Sequence, residues 1–376
     1  MPLIDRRHLA LPIRIGDAFE TQSGLQLNAP RIYGMLAAPK GAQTAAILVH
    51  PSSNMMNHYL IEPLHERGLA VLALNTRYVG GDQVLIMENA IQDIGAGVRF
   101  LREQGFEKVV LLGNSGGASL VAFYQAQAEK ITVTHTPAGD PVDLRAEEMP
   151  PADAIVLLAG HPGRSTLMRT YIDAAVIDER DPDASDRSLD IYASRNGPPF
   201  SPDFVAQVRR AQIVRSEGIT AWALDRLSTL RSRTDGAKDE AFIVHRTYAD
   251  PRFVDRTLDA NDRAAGGNRG TTPQQANLSA NNLARFTTLT SWLSQWSHLS
   301  NADGPDNLAR TTIPVLQLEY TADAGIFPSD VARWTAAGGD RVENQKVVGA
   351  AHYLYRLPDQ LKQVSGLVTQ WSSKLA

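Results

Sequence analysis

The chain has 376 residues, 43% of them apolar, and a formal net charge of −4, enough for a large core and a poor match to nucleic acid as substrate. It contains no cysteine, which excludes disulfides, thiol catalysis and cysteine-ligated zinc. No stretch approaches the ~20 continuous apolar residues of a membrane span. The first fifteen residues carry Asp5, Arg6, Arg7, His8 and Arg14 and lack the apolar core of a signal peptide, so the expectation is a cytoplasmic protein that does not enter membranes.

In chain order, residues 11–39 read as an N-terminal strand region, with 31–36 its clearest strand. The run 45–50 is a buried strand, and 63–68 closes a helix with Gly68 as its C-cap. A strand at 70–74 leads into a loop at 75–81. Ile91, Ile94, Val98 and Leu101 then keep helical spacing over 89–103, and Gly105 stops it. A strand at 108–112 meets an apolar helix from Ala118, and a Pro/Gly-rich crossing at 134–141 leads to a strand at 154–158. Between residues 160 and 310 the alternation stops, over a length too great for a loop. That stretch reads as mostly helical, with Ser201-Pro202-Asp203 capping a helix through about Arg233 and a second helix running from Thr272-Pro273 through Trp296. Strands return at 313–319 and 343–348. The alternation predicts an α/β fold, a mostly parallel central sheet with helices on both faces, whose site lies at the carboxyl ends of the strands.

The chemistry-bearing element is Gly113-Asn114-Ser115-Gly116-Gly117, between a β-branched strand and an apolar helix. In that strand–turn–helix setting a serine projects from the sheet as a nucleophile, and the next N–H points at a developing oxyanion. Asp323 follows the strand at 313–319, and His352 follows the strand at 343–348. Glu319 and Asp330 are the competing carboxylates; no other histidine follows the acid. Serine is a poor nucleophile until a neutral histidine takes its proton, and a carboxylate fixes that histidine's tautomer.

The motif and the order Ser115, Asp323, His352 resemble the α/β-hydrolase superfamily over most of the chain outside the long insertion. The resemblance implies a catalytic triad of these residues, an oxyanion hole with Gly116 N–H as one donor, and a cap formed by residues 161–310. The core would then be residues 1–160 and 311–376. Family members carry His-Gly where this chain has His50-Pro51. Proline has no N–H, so the second donor is expected from Ser52 or Ser53, with His50 ordering the loop. Phe204, Trp222, Phe286 and Trp292 are candidates to line the cap, although most of them are expected to hold the cap's own core. His245, Arg246 and Tyr248 are weaker candidates for substrate contact, and a surface decoration or dimerisation arm is the alternative to a cap. The resulting expectation is a serine hydrolase cleaving an ester or lactone of a small organic acid through an acyl-enzyme. It needs no cofactor, its partner is a small-molecule substrate, and self-association is left open. Amide or carbon–carbon hydrolysis, acyl transfer, and ligand binding without catalysis remain as alternatives on the same residues.

Overall fold

A computed structural model of the chain describes residues 4–14, 30–266 and 270–375. Residues 15–29 of the expected N-terminal strand region lie outside them. The elements in chain order begin with β1 (Arg7–Pro12), β2 (Arg31–Ala37), β3 (Thr44–His50), α1 (Ile61–His65) and β4 (Ala70–Asn75). Then come α2 (Met87–Glu103), β5 (Lys108–Asn114), α3 (Gly117–Glu129) and β6 (Ala154–Leu158). The insertion contributes α4 (Arg164–Tyr171), α5 (Pro202–Arg231), β7 (Ala241–Ile243), α6 (Pro273–Leu278), β8 (Phe286–Thr288) and α7 (Leu289–Gln295). The chain closes with α8 (Gly304–Leu308), β9 (Val315–Tyr320), α9 (Pro328–Gly338), β10 (Val342–Val347) and α10 (Pro358–Ser372).

Eight strands form one sheet in the order β1-β2-β4-β3-β5-β6-β9-β10. β2 runs antiparallel to both its neighbours, and the pairs from β4 to β10 are parallel. The central strands are near-continuous apolar runs because both faces are covered. Alternate residues divide between the two faces: Ile47, Val49, Leu72 and Leu111 pack with α2, α3 and Trp334. Leu48, Val71, Leu112 and Val156 pack with α1 and α10 through Ile61, Leu64, Val364 and Trp371. Period-two alternation therefore builds two cores rather than one wet and one dry face.

The insertion has cores of its own, one around Ile219, Leu227, Trp292 and Trp296, others around Tyr248 and Phe200. α5 starts at its expected cap, where Ser201 Oγ accepts the Phe204 N–H at 3.2 Å. The single helix expected over 272–296 is instead α6, the strand β8 and α7, with Thr288 capping α7 through the Ser291 N–H. Ala302 and Leu308 belong to the sheet-side core, and α8 packs on α3 and α9, so the chain is back on the sheet layer before residue 310. The insertion is also fastened to the start of α2. Ser294 Oγ accepts the Met87 N–H and donates to Glu88, whose other oxygen accepts from Asn301 Nδ2 at 2.8 Å.

Arg77, just past β4, forms a buried ion pair with Asp93 of α2 at 2.7 Å, and its own N–H also donates to that carboxylate. The same turn holds the loop after β3, because Thr76 Oγ1 donates to the Pro51 carbonyl at 2.5 Å and Asn75 Oδ1 accepts the Met55 N–H. Removing one member of a buried pair strands the other charge. Asp93→Ala is expected to destabilise the fold by about 3–5 kcal/mol, read from urea unfolding. A loss within the error of the measurement would mean that water reaches Arg77.

Candidate active site

β5 ends in the turn that carries Ser115. Ser115 has φ of +52°, a left-handed conformation that costs a non-glycine residue energy and persists only when its surroundings enforce it. A Cβ on Gly113 would sit 2.6 Å from Ala118 Cα, and one on Gly117 would overlap the Val49 carbonyl oxygen. Glycine at both positions lets α3 press against β3 and β5 tightly enough to force the turn. Ser115 N–H donates to the Leu158 carbonyl at 2.9 Å and its carbonyl accepts the His161 N–H, so the end of β6 clamps it from one side.

Asp323 and His352 come from the loops after β9 and β10. His352 Nε2 lies 3.1 Å from Ser115 Oγ, and His352 Nδ1 lies 2.7 Å from Asp323 Oδ2. Asp323 and His352 are buried. Asp323 Oδ1 accepts the Gly325 and Ile326 N–H groups at 2.7 and 3.1 Å, which fixes the carboxylate as acceptor. The Nδ1–H of His352 therefore points to Asp323, leaving Nε2 to accept from the serine hydroxyl. The competing carboxylates are engaged elsewhere. Glu319 pairs with Lys346 at 3.5 Å, and Asp330 accepts the Phe327 N–H at the start of α9. Asn261, from the insertion, donates to the Asp323 carbonyl at 2.8 Å.

The loop after β3 borders the serine. His50 Nδ1 accepts the N–H groups of both Ser52 and Ser53, at 3.2 and 3.0 Å. Arg164, the first residue of α4, reaches this loop. Its guanidinium donates to Ser52 Oγ at 3.0 Å and also bonds Asp82 and Gln295, lying 4.9 Å from the centroid of the Trp296 ring. Ser115 and His352 open into a pocket of about 190 Å³ whose walls include His50, His161 and Arg164, together with Leu167, Tyr171, Tyr248, Leu283, Trp296, Ile326 and Tyr353.

No protein-family model and no curated protein sequence matches the chain. Among solved structures it is similar to DcsB in complex with its substrate analogue, at 13% identity and a TM-score of 0.53, covering 99% of this chain and 100% of that one. It is also similar to the α/β hydrolase GrgF from Penicillium sp. sh18, at 12% identity and a TM-score of 0.49, covering 96% and 100%. The siderophore hydrolase EstB from Aspergillus fumigatus stands at 13% identity and 0.49, covering 97% and 98%. Among the described residues the sheet reverses only at β2, and its serine, acid and histidine follow β5, β9 and β10. The chain has the α/β-hydrolase fold.

On the α/β-hydrolase fold a second oxyanion donor was expected from Ser52 or Ser53, and this needs correction. Both N–H groups are taken by His50 Nδ1, a side chain whose direction cannot be read from the sequence. Gly116 N–H has no acceptor among the described residues. None of the four candidate aromatics lines the pocket, and most of them hold the insertion's own packing, as expected. Trp292 is buried within the insertion and bonds Thr220; Phe204 lies against Phe200, Trp222 against Phe242, and Phe286 is exposed. Of the weaker candidates Tyr248 does line the pocket, whereas Arg246 pairs with Asp173 at 2.8 Å and the His245 carbonyl accepts from Arg215. The sequence reading passed over His161 and Arg164. Their one legible signal was position, immediately after the carboxyl end of β6, where the fold gathers its site.

The other histidines near the serine are held neutral. Burial, reinforced by the Arg164 charge, pushes His50 down to about 3 and His161 well below its usual value. Burial also pushes His58 down to about 4, against a hydrogen bond with Asn114 that favours its charged form. Asp82 stays below the usual carboxylate range, since the Arg164 charge and hydrogen bond outweigh its burial. Each of these histidine values lies below the unfolded value near ~6.5. Between the two, the unfolded chain holds the extra proton, so acid favours unfolding. The urea midpoint is expected to fall as pH drops from ~6.5 toward 4, and less steeply in His58→Gln. A His58→Gln slope equal to wild type would remove His58 from the effect.

Proposed function

We propose that the protein is a serine hydrolase that cleaves a carboxylic ester or lactone of a small organic acid through an acyl-enzyme. The observation that carries this reading is the unbroken hydrogen-bonded series Asp323–His352–Ser115 opening into a pocket. Ser115 Oγ attacks the carbonyl carbon as its proton passes to His352 Nε2, and Asp323 stabilises the imidazolium. Gly116 N–H donates to the oxygen that gains charge. The tetrahedral adduct collapses, and His352 returns the proton to the departing alkoxide. Water then repeats the sequence on the acyl-enzyme, with His352 again as base.

The insertion, from α4 to α7, acts as a cap on this reading. The support is that Leu167, Tyr171, Tyr248, Leu283 and Trp296 share one pocket with Ser115 and His352. Tyr171 also donates through its hydroxyl to the Gly325 carbonyl at 2.8 Å, beside the acid. The insertion's apolar and aromatic residues face the polar side chains of His50, Ser52, Asp82, His161 and Arg164 across the pocket, a mixed lining that suits a compact acyl group with polar substituents.

The test is labelling with a fluorophosphonate, together with a matched aryl ester and anilide. Wild type is expected to take up one label, Ser115→Ala none, and the ester to turn over far faster than the anilide. Equal labelling of both chains would remove the nucleophile, and faster anilide turnover would replace the ester with an amide.

A further inference from the structure

The turn after β3 is short of backbone donors. Pro51 has no N–H, and those of Ser52 and Ser53 are taken by His50 Nδ1. These bonds also determine the tautomer. A ring nitrogen that accepts two N–H groups carries no proton, so the proton of the neutral ring sits on Nε2.

Among the described residues the hydrogen bonds of the His50 ring are those to Nδ1, so Nε2–H meets no acceptor there, and His50 lines the pocket beside Ser115. It is aimed at the nucleophile turn. A Cβ added to Gly116 would sit 3.1 Å from His50 Nε2 and 3.0 Å from His161 Nε2. Two ring nitrogens thus converge on Gly116, whose N–H has no acceptor among the described residues. Gly116 keeps that approach clear, because any side chain there would press on both rings. Of the two rings only His50 has its tautomer fixed, since His161 Nδ1 is buried with no partner.

We propose that His50 Nε2–H is the second oxyanion donor, a side-chain donor acting with Gly116 N–H on the carbonyl oxygen of the substrate. The assignment rests on the serine-hydrolase reading. As the bond from Ser115 Oγ to carbon forms, the carbonyl π pair moves to the oxygen between the two donors, and the serine proton goes to His352. His50 keeps its own proton throughout and only hydrogen-bonds. When the adduct collapses, the pair returns to the C=O bond, the leaving-group bond breaks, and His352 supplies the proton. Burial that keeps His50 uncharged also keeps it from becoming an acid that would compete with His352.

Two substitutions separate the ring's two ends. His50→Asn puts an amide oxygen where Nδ1 accepts from the loop and has nothing at Nε2. His50→Gln reaches the Nε2 position with an N–H and loses the loop acceptor. The probes are p-nitrophenyl acetate and phenyl trifluoromethyl ketone, whose hemiketal on Ser115 carries the same oxyanion. His50→Asn is expected to keep the wild-type melting temperature and KM while kcat falls by about 10²-fold or more. Its affinity for the ketone should fall by a similar factor, as for a lost transition-state contact. His50→Gln should melt lower yet retain more of kcat than His50→Asn. Wild-type kcat in His50→Asn, or a loss confined to His50→Gln, would return His50 to loop ordering and overturn the donor. If wild type and Ser115→Ala turn over the ester equally and neither binds the ketone, the hydrolase reading falls and the donor with it.

Discussion

Ser115→Ala is expected to lower kcat/KM on p-nitrophenyl acetate by ~10³-fold or more while the chain remains folded. The hydroxyl is the atom that forms the new bond, and alanine has nothing to replace it. The fold should tolerate the change because Ser115 is held by main-chain bonds to Leu158 and His161, while its side chain bonds His352. The residual rate then measures what the pocket and the oxyanion donors do without a nucleophile. Near-wild-type turnover by the purified alanine variant would show that another group attacks.

His352→Ala and Asp323→Asn are expected to lower kcat by orders of magnitude, and adding Ser115→Ala to either should cost little more. The acid acts through the ring. An amide at position 323 can donate to His352 Nδ1, which moves the ring proton to Nε2 and leaves nothing to accept from the serine. A loss on the order of 10⁴-fold follows from that wrong tautomer. Asp323 also accepts the Gly325 and Ile326 N–H groups, so the melting temperature must be measured beside the rate. Full activity in Asp323→Asn, with the loss in Glu319→Gln or Asp330→Asn instead, would move the acid.

Where one periodicity dominates, the sequence and the structure agree closely. The apolar runs of β3, β5 and β6 admit one reading because strands buried on both faces tolerate few polar residues. Ser201-Pro202 marks the start of α5 because the cap and the proline act locally. Over 272–296 the apolar spacing of α7 extends back through Leu283 and Phe286 and suggests one helix, although Ser279, Asn281 and Asn282 interrupt it. Ser115, Asp323 and His352 were legible from their order along the chain. The pocket walls were not, because Tyr171, Tyr248 and Trp296 meet only through packing between segments distant in sequence. His50 was read as ordering its loop, which its Nδ1 does; what its other nitrogen faces depends on Gly116, sixty-six residues away in the chain.

Arg164 ties three parts of the molecule together. One guanidinium holds Asp82 beyond β4, Gln295 at the end of α7, and Ser52 in the loop that borders the nucleophile. A hinge between the insertion and that loop would have to pull the guanidinium away from Ser52 and Asp82 together, leaving it under Trp296 without a counter-charge. The bonds of Arg164 therefore resist separation of the insertion from that loop.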